Sequence, residues 1–273
     1  MNKLNAWKIL AGIGLLFIGW GIHQAFVIPP PTYEPGHWDW LTKDPVILDY
    51  IRFWFRNQGI WTIANGLFFS IISATAFRKQ ERWAWYALTY IPVHIIFLTS
   101  QFYWLFFITI PILLVSIWAL WKNIEMLSQV VEKGHNYGWI LFTFIGFLIL
   151  YFAYDNIFVL PALDVNDPDR GWAWLTTDPE VMEYIKFYFR IFGLRVLSVA
   201  LMTILTASIG LREGSRNAWN VLFIIPVLFA VHMVVWPWLF PILIGLIFIC
   251  GIALWMSFPK KAMSSDQEFE KAV

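Results

Sequence analysis

Charge is what this sequence has least of. Only 14% of its 273 residues are Asp, Glu, Lys or Arg, against 59% hydrophobic and 19% aromatic. Soluble domains carry roughly a quarter charged residues. A soluble fold of this size cannot hide so much apolar surface, whereas a bilayer can. The net charge of +1 leaves no electrostatic footprint for nucleic acid, so no such partner is expected. The one cysteine, Cys250, lies in an apolar run, which excludes an intramolecular disulfide. Also missing are a glycine-rich phosphate loop, zinc-type Cys/His spacing, His-Glu-x-x-His and Gly-x-Ser-x-Gly. No motif names a reaction.

What the sequence does have is long apolar runs. They fall at 7–28, 46–77, 83–101, 104–121, 138–160, 179–211, 217–236 and 238–256, each long enough to cross about 30 Å of hydrocarbon. This predicts an all-α polytopic membrane protein of eight helices. Segments 46–77 and 179–211 would run to roughly 45 Å at 1.5 Å per residue, so they begin outside the membrane or along its surface. The near-absence of a break at Gln101-Phe102-Tyr103 and at Trp236-Pro237-Trp238 predicts tight hairpin tips. The first run resembles a signal peptide but lacks a small-x-small cleavage site. Its ending, Phe26-Val27-Ile28-Pro29, recurs as Phe158-Val159-Leu160-Pro161, so it is read as a retained helix. Lys and Arg gather in the N-terminus, the loops at 78–82, 122–136 and 212–216, and the tail. By the positive-inside rule both termini are cytoplasmic. The loops at 29–46 and 161–178 then face outward. Tryptophans cluster at the same boundaries, as an aromatic belt among membrane lipids would.

An internal repeat is the strongest signal. At an offset of 134, Trp38-Asp39-Trp40-Leu41-Thr42-Lys43-Asp44-Pro45 falls on Trp172-Ala173-Trp174-Leu175-Thr176-Thr177-Asp178-Pro179, and 12 of the 23 positions from 38 to 60 are identical. Arg78, Arg82, Trp85, Pro92, Trp104 and Trp121 recur as Arg212, Arg216, Trp219, Pro226, Trp238 and Trp255. Each half has an even number of crossings, so the halves are parallel repeats related by an axis near the membrane normal, not inverted ones. The expected organisation is a four-helix repeat at 1–128, a second at 129–258, and a disordered cytoplasmic tail at 259–273.

Few side chains could carry chemistry. Asp44 and Asp178 suit helix N-caps, with Pro45 and Pro179 at the first helical position. Asp49, Arg52 and Arg56, then Glu183, Lys186 and Arg190, repeat one helix face at i, i+3 and i+7. The acid and first cation can pair at the interface. The deeper arginine needs a headgroup, water or a carboxylate. Aligning the Phe-Val-x-Pro endings puts His23 and Gln24 on Asp155 and Asn156. The candidate outward-facing polar pocket is therefore His23, Gln24, Arg56, Asp155, Asn156, Arg190 and Arg195. Asp155 is expected to pair with Arg190 or Arg195, with His23 across from it. Arg195 stands where the first half has Trp61. His94 and His232, on equivalent helices, are candidate axial ligands for haem or a chlorophyll-type pigment. The blander alternative is a hydrogen bond to a backbone carbonyl freed by Pro92 or Pro226, or to a Ser/Thr hydroxyl.

The repeated unit Asp-Pro-x-x-x-(Asp/Glu)-Tyr-Ile-(Arg/Lys)-Phe-x-Phe-Arg-x-x-Gly resembles that of DoxX-like and related uncharacterised bacterial four-helix inner-membrane families. Arg56 and Gly59, and Arg190 and Gly193, fill the family's arginine and glycine places. The resemblance implies a bacterial inner-membrane location, with quinone-linked oxidoreductases associated with some relatives. The expectation for function is a non-catalytic accessory subunit of a membrane complex, or a lipid- or quinone-binding module. The alternatives are an intramembrane enzyme on a lipid-like substrate, with Asp155 and His23 as acid and base, and a transporter.

Overall fold

The computed structural model describes residues 5–27, 42, 44–101, 106–128, 137–160 and 176–258. The tail and most of both loops expected outside lie beyond these residues, as does the 102–105 hairpin tip. Every regular element among the described residues is helical. In chain order they are α1 (Ala6–Val27), α2 (Pro45–Phe77), α3 (Arg82–Leu88), α4 (Tyr90–Gln101), α5 (Phe106–Trp121), α6 (Gly138–Val159), α7 (Pro179–Leu211), α8 (Arg216–Leu222), α9 (Ile224–Val235) and α10 (Phe240–Met256). Six stretches are long and apolar enough to cross a membrane: α1, α2, α6, α7, the α8–α9 stretch and Pro237–Met256. The chain is an all-α integral membrane protein.

Local chemistry sets the helix ends. The Asp44 carboxylate accepts from the Val46 N–H at 2.8 Å, and Asp178 from the Glu180 N–H at 2.9 Å. Each is followed by proline at the first helical position, where no amide hydrogen is missed. The breaks between α3 and α4 and between α8 and α9 have a proline cause. Pro92 and Pro226 offer no N–H to Leu88 and Leu222, the last residues of α3 and α8. The far ends of α1, α2, α6 and α7 loosen into wider π turns at His23–Val27, Ser73–Phe77, Asp155–Val159 and Thr206–Leu211.

Packing begins with backbone on backbone. A Cβ added to Gly66 would sit 2.6 Å from the Gly14 carbonyl and 2.7 Å from the Ile18 amide, and one added to Gly21 would sit 2.7 Å from the Gly59 carbonyl. Helices α1 and α2 therefore touch at two glycine pairs, Gly14 with Gly66 and Gly21 with Gly59. In a bilayer, where lipid tails are as apolar as leucine, such close approach is a main source of helix association. The two longest helices, α2 and α7, pack on each other, while α4 lies on α7 and α9 on α2. One end of the bundle is tied by polar contacts between the α2–α3 and α7–α8 turns. Arg82 pairs with Glu213 at 2.5 Å, and the Glu81 carboxylate accepts from Ser215 Oγ at 2.5 Å, Trp83 Nε1 at 2.6 Å and the Asn217 amide.

Candidate functional site

At the opposite end, where α2 and α7 begin, the expected interfacial ion pairs form. Arg52 meets Asp49 at 3.2 Å and Lys186 meets Glu183 at 3.3 Å. Arg56 and Arg190, one turn further along, are exposed and make no ion pair among the described residues. Arg56 opens onto a crevice of about 670 Å³. Asp49, Arg52 and Arg56 form its polar wall; Phe26 from α1 and Val234 and Val235 from α9 form its apolar one.

Deeper lies a polar layer that joins three helices. Gln24, in the terminal π turn of α1, donates to Gln58 Oε1 on α2 at 2.9 Å. Arg195, at the middle of α7, donates through one terminal nitrogen to Gln24 Oε1 at 2.7 Å and Gln58 Oε1 at 3.2 Å. Gln58 donates in turn to the Tyr188 carbonyl at 3.1 Å. The Asn65 amide bridges the carbonyls of Trp61 at 2.9 Å and Arg195 at 3.1 Å. The Trp236 indole donates to Asn57 Oδ1 at 2.7 Å. Arg195 is only 3% exposed, and no carboxylate among the described residues reaches it.

The expected pairing of Asp155 is corrected by this network. Asp155 is half-buried near the C-terminal end of α6 and makes no ion pair among the described residues, while Arg195 turns to Gln24 and Gln58 instead. The physical reason is that the Arg195 guanidinium already has two amide-oxygen acceptors on α1 and α2, while Arg190 is exposed and Asp155 only half-buried. Nor does a contact join Asp155 to His23, whose exposed ring lies 5.7 Å from that of Trp20. Asn156 is fully buried, and its amide is spent on the Phe152 carbonyl at 2.7 Å. The seven-residue pocket expected from the sequence is thus split: Gln24 and Arg195 meet, Arg56 lines a crevice, and His23, Asp155, Asn156 and Arg190 stand apart from both.

The two buried histidines also part company. His94 packs against Phe17 at 5.1 Å and Phe69 at 6.3 Å, with Nδ1 unpartnered among the described residues. His232 packs against Trp61 at 5.3 Å, and its Nδ1 lies 2.8 Å from the Leu228 carbonyl. That acceptor is one turn behind the histidine itself, not the Leu222 carbonyl freed by Pro226. The rings occupy separate aromatic surroundings, so a haem or pigment held between them is not what the packing supports. Among the described residues no cluster of three or more His, Cys, Asp or Glu could hold a metal ion.

Sequence reasoning missed Asn65 and the indole of Trp236. Asn65 had a signal: Gln58, Thr62 and Asn65 recur at four- and three-residue spacing, a polar stripe along an apolar helix.

No family model, curated protein or solved structure matches this chain.

Proposed function

We propose that the protein is a non-catalytic membrane component, an accessory subunit or a lipid- or quinone-binding module, that holds the polar head of a membrane-soluble molecule in an outward-facing crevice. The observation that carries this reading is Arg56. It is a cation without an ion pair among the described residues, on the polar wall of a crevice of about 670 Å³ whose other wall is apolar. Such a pairing of surfaces suits an anionic or carbonyl head joined to a hydrocarbon tail. The resemblance to DoxX-like families is used for the four-helix unit and a bacterial inner-membrane setting, not for an activity.

The same proposal takes the chain as eight crossings in two parallel repeats, 1–128 and 129–258, with both termini cytoplasmic. Matched details support it. Arg78 stacks over Trp7 and Arg212 over Trp139, both at 5.1 Å. Trp85 donates to the Leu120 carbonyl and Trp219 to that of Leu254. Gln80 and Gly214, at the 134-residue offset, are the two described residues with left-handed backbone, at φ of 63° and 77°.

The test is native extraction in polymer-bounded lipid discs, followed by mass spectrometry of lipids and subunits. The wild type should retain one lipid class or subunit above its level in the surrounding membrane, and Arg56→Gln should lose it several-fold at unchanged melting temperature. A wild-type profile equal to bulk membrane, with no partner, would sink the reading. Cysteines at positions 49 and 183 should label from outside intact cells, and one at 212 only after lysis; the reverse would overturn the topology.

A further inference from the structure

The end of the bundle opposite the Arg56 crevice carries two arginines that no carboxylate among the described residues takes up. Arg78 follows the last residue of α2 and Arg212 the last residue of α7. Both are exposed, and neither guanidinium makes a hydrogen bond or an ion pair among the described residues. The carboxylates of the adjoining turns are engaged elsewhere, Glu213 with Arg82 and Glu81 with Ser215, Trp83 and Asn217. What each arginine does meet is an indole face. Arg78 lies over Trp7 and Arg212 over Trp139, with Cζ 5.1 Å from the ring centre in both. The second half has two more residues between its tryptophan and its arginine than the first. The stack is nevertheless the same, so it is not an accident of chain spacing.

The helices set the height of these stacks. Trp7 and Trp139 stand in the first turns of α1 and α6, two of the stretches apolar enough to cross a membrane. They therefore lie where hydrocarbon gives way to headgroups, the level of lipid phosphates. A guanidinium carries all its N–H donors in its own plane. An indole face attracts its charge without supplying an oxygen acceptor, so the donors remain free for the paired oxygens of a phosphate. Resting on the ring also holds the side chain in place, which reduces the ordering cost of binding. The two stacks differ in charge. Lys8 Nζ lies 5.9 Å from the Trp7 ring centre, and Lys79 follows Arg78. In the second half Ile140 follows Trp139 and Glu213 follows Arg212.

We infer that Trp7, Lys8 and Arg78 hold the phosphate of one anionic phospholipid, and that Trp139 and Arg212 hold a second more weakly. Apolar side chains exposed further along the same helices, Leu15 and Leu16 on α1 and Phe144 and Phe147 on α6, give the acyl chains a surface. A soluble phosphate ion gains nothing from that surface, which commits both sites to a lipid. They are separate from the Arg56 crevice and do not depend on that reading.

The test is native mass spectrometry of the full chain in micelles, titrated with phosphatidylglycerol and with phosphatidylcholine of identical acyl chains. Two phosphatidylglycerols per chain should bind roughly fivefold more tightly than phosphatidylcholine, the worth of about one cation at an anionic surface. Arg78→Gln should abolish the preference at the tighter site and Arg212→Gln at the weaker one. Arg56→Gln should leave both, so the crevice reading and this one fail separately. Arg78→Lys keeps the charge but not the planar fork, and should lose most of the preference. Lys122 is an exposed cation at the same end, over no indole among the described residues, and Lys122→Gln should change the preference little. Melting temperature checks that each variant is folded. Inorganic phosphate in large excess should displace neither lipid, and displacement would overturn the lipid assignment. Equal affinity for the two lipids, or a preference that survives in the folded Arg78→Gln, Arg212→Gln double variant, would overturn the sites. A loss with Lys122→Gln as large as with Arg78→Gln, or full preference in Arg78→Lys, would overturn the stacked guanidinium as the recognising group.

Discussion

Two glycines on one turn of α1 should respond to the same substitution with opposite sign. A Cβ on Gly12 would meet nothing within 4 Å, whereas one on Gly14 would meet the Ser70 amide at 2.6 Å and the Gly66 carbonyl at 2.8 Å. Alanine at 12 adds helix propensity with no clash, worth up to about 1 kcal/mol. Alanine at 14 gains the same propensity but must push α1 and α2 apart by roughly an ångström, at an overpacking cost of about 1–3 kcal/mol. Two of its clashes are with backbone, which has no rotamer to yield. The expected result is a slight rise in stability for Gly12→Ala and a net loss of about 1–2 kcal/mol for Gly14→Ala. Gly66→Ala probes the same contact, so the double variant should cost less than the sum of the singles, because the helices are already parted. The assay is reversible unfolding in mixed micelles followed by tryptophan fluorescence. Gly12→Ala and Gly14→Ala shifting in the same direction, or Gly14→Ala and Gly66→Ala adding in full, would refute close backbone contact as the α1–α2 interaction.

Other residues give equally direct expectations. Glu81→Ala strips an acceptor from Ser215, Trp83 and Asn217 at once, and should lower stability by about 2–3 kcal/mol; the same micelle titration checks it, and a neutral result would mean the turns are not held through this carboxylate. Asp44→Ala and Asp178→Ala should each cost about 1 kcal/mol as lost N-caps. Hydrogen exchange should show that loss confined to the first turns of α2 and α7. Asp155→Asn should change stability by less than about 0.5 kcal/mol, as expected for a residue with no ion pair. A loss of several kcal/mol would restore the buried pair that the structure does not form.

Depth is legible in the sequence; direction around a helix is not. The Asp-Pro starts, the two 33-residue helices and the Asp49–Arg52 and Glu183–Lys186 pairs all follow from residues close in sequence, whose geometry the helix itself dictates. The depth of Arg195 follows from its place in a long apolar run, but its partners do not. They are amides on two other helices, and their choice depends on how α1, α2 and α7 are rotated about their own axes. That rotation is set in part by where backbones can touch, at Gly14, Gly21, Gly59 and Gly66, and a glycine in a transmembrane run does not announce its partner. The π turns move the register as well. Gln24 belongs to one, and an extra residue in the turn shifts the face its side chain occupies. A lone carboxylate at depth is costly, which is why the sequence suggests a cation for Asp155. The residue sits half-buried near the helix end and takes no such partner among the described residues.

Charge repulsion is expected to set the difference between Trp61 and Arg195, which stand 134 residues apart. The Asn65 amide bridges the carbonyls of both residues, so the two positions lie side by side where α2 meets α7. Arginine at both would set two cations against each other in the centre of the bundle, with no carboxylate among the described residues to separate them. At roughly 8 Å and an effective dielectric of about 20, two unit charges repel by about 2 kcal/mol. The desolvation of a second guanidinium adds to that. A bundle with this contact can keep one such arginine, and the other position must be neutral. Trp61→Arg should therefore destabilise far more than Trp61→Gln, which introduces polarity and a similar loss of aromatic packing without charge. Adding Arg195→Met to Trp61→Arg should recover the difference of about 2 kcal/mol, although the introduced arginine would lack the Gln24 and Gln58 oxygens. Unfolding of the three variants and the wild type in mixed micelles measures this. If Trp61→Arg costs no more than Trp61→Gln, or if removing Arg195 recovers nothing, charge repulsion did not set the asymmetry, and its cause is packing around the indole.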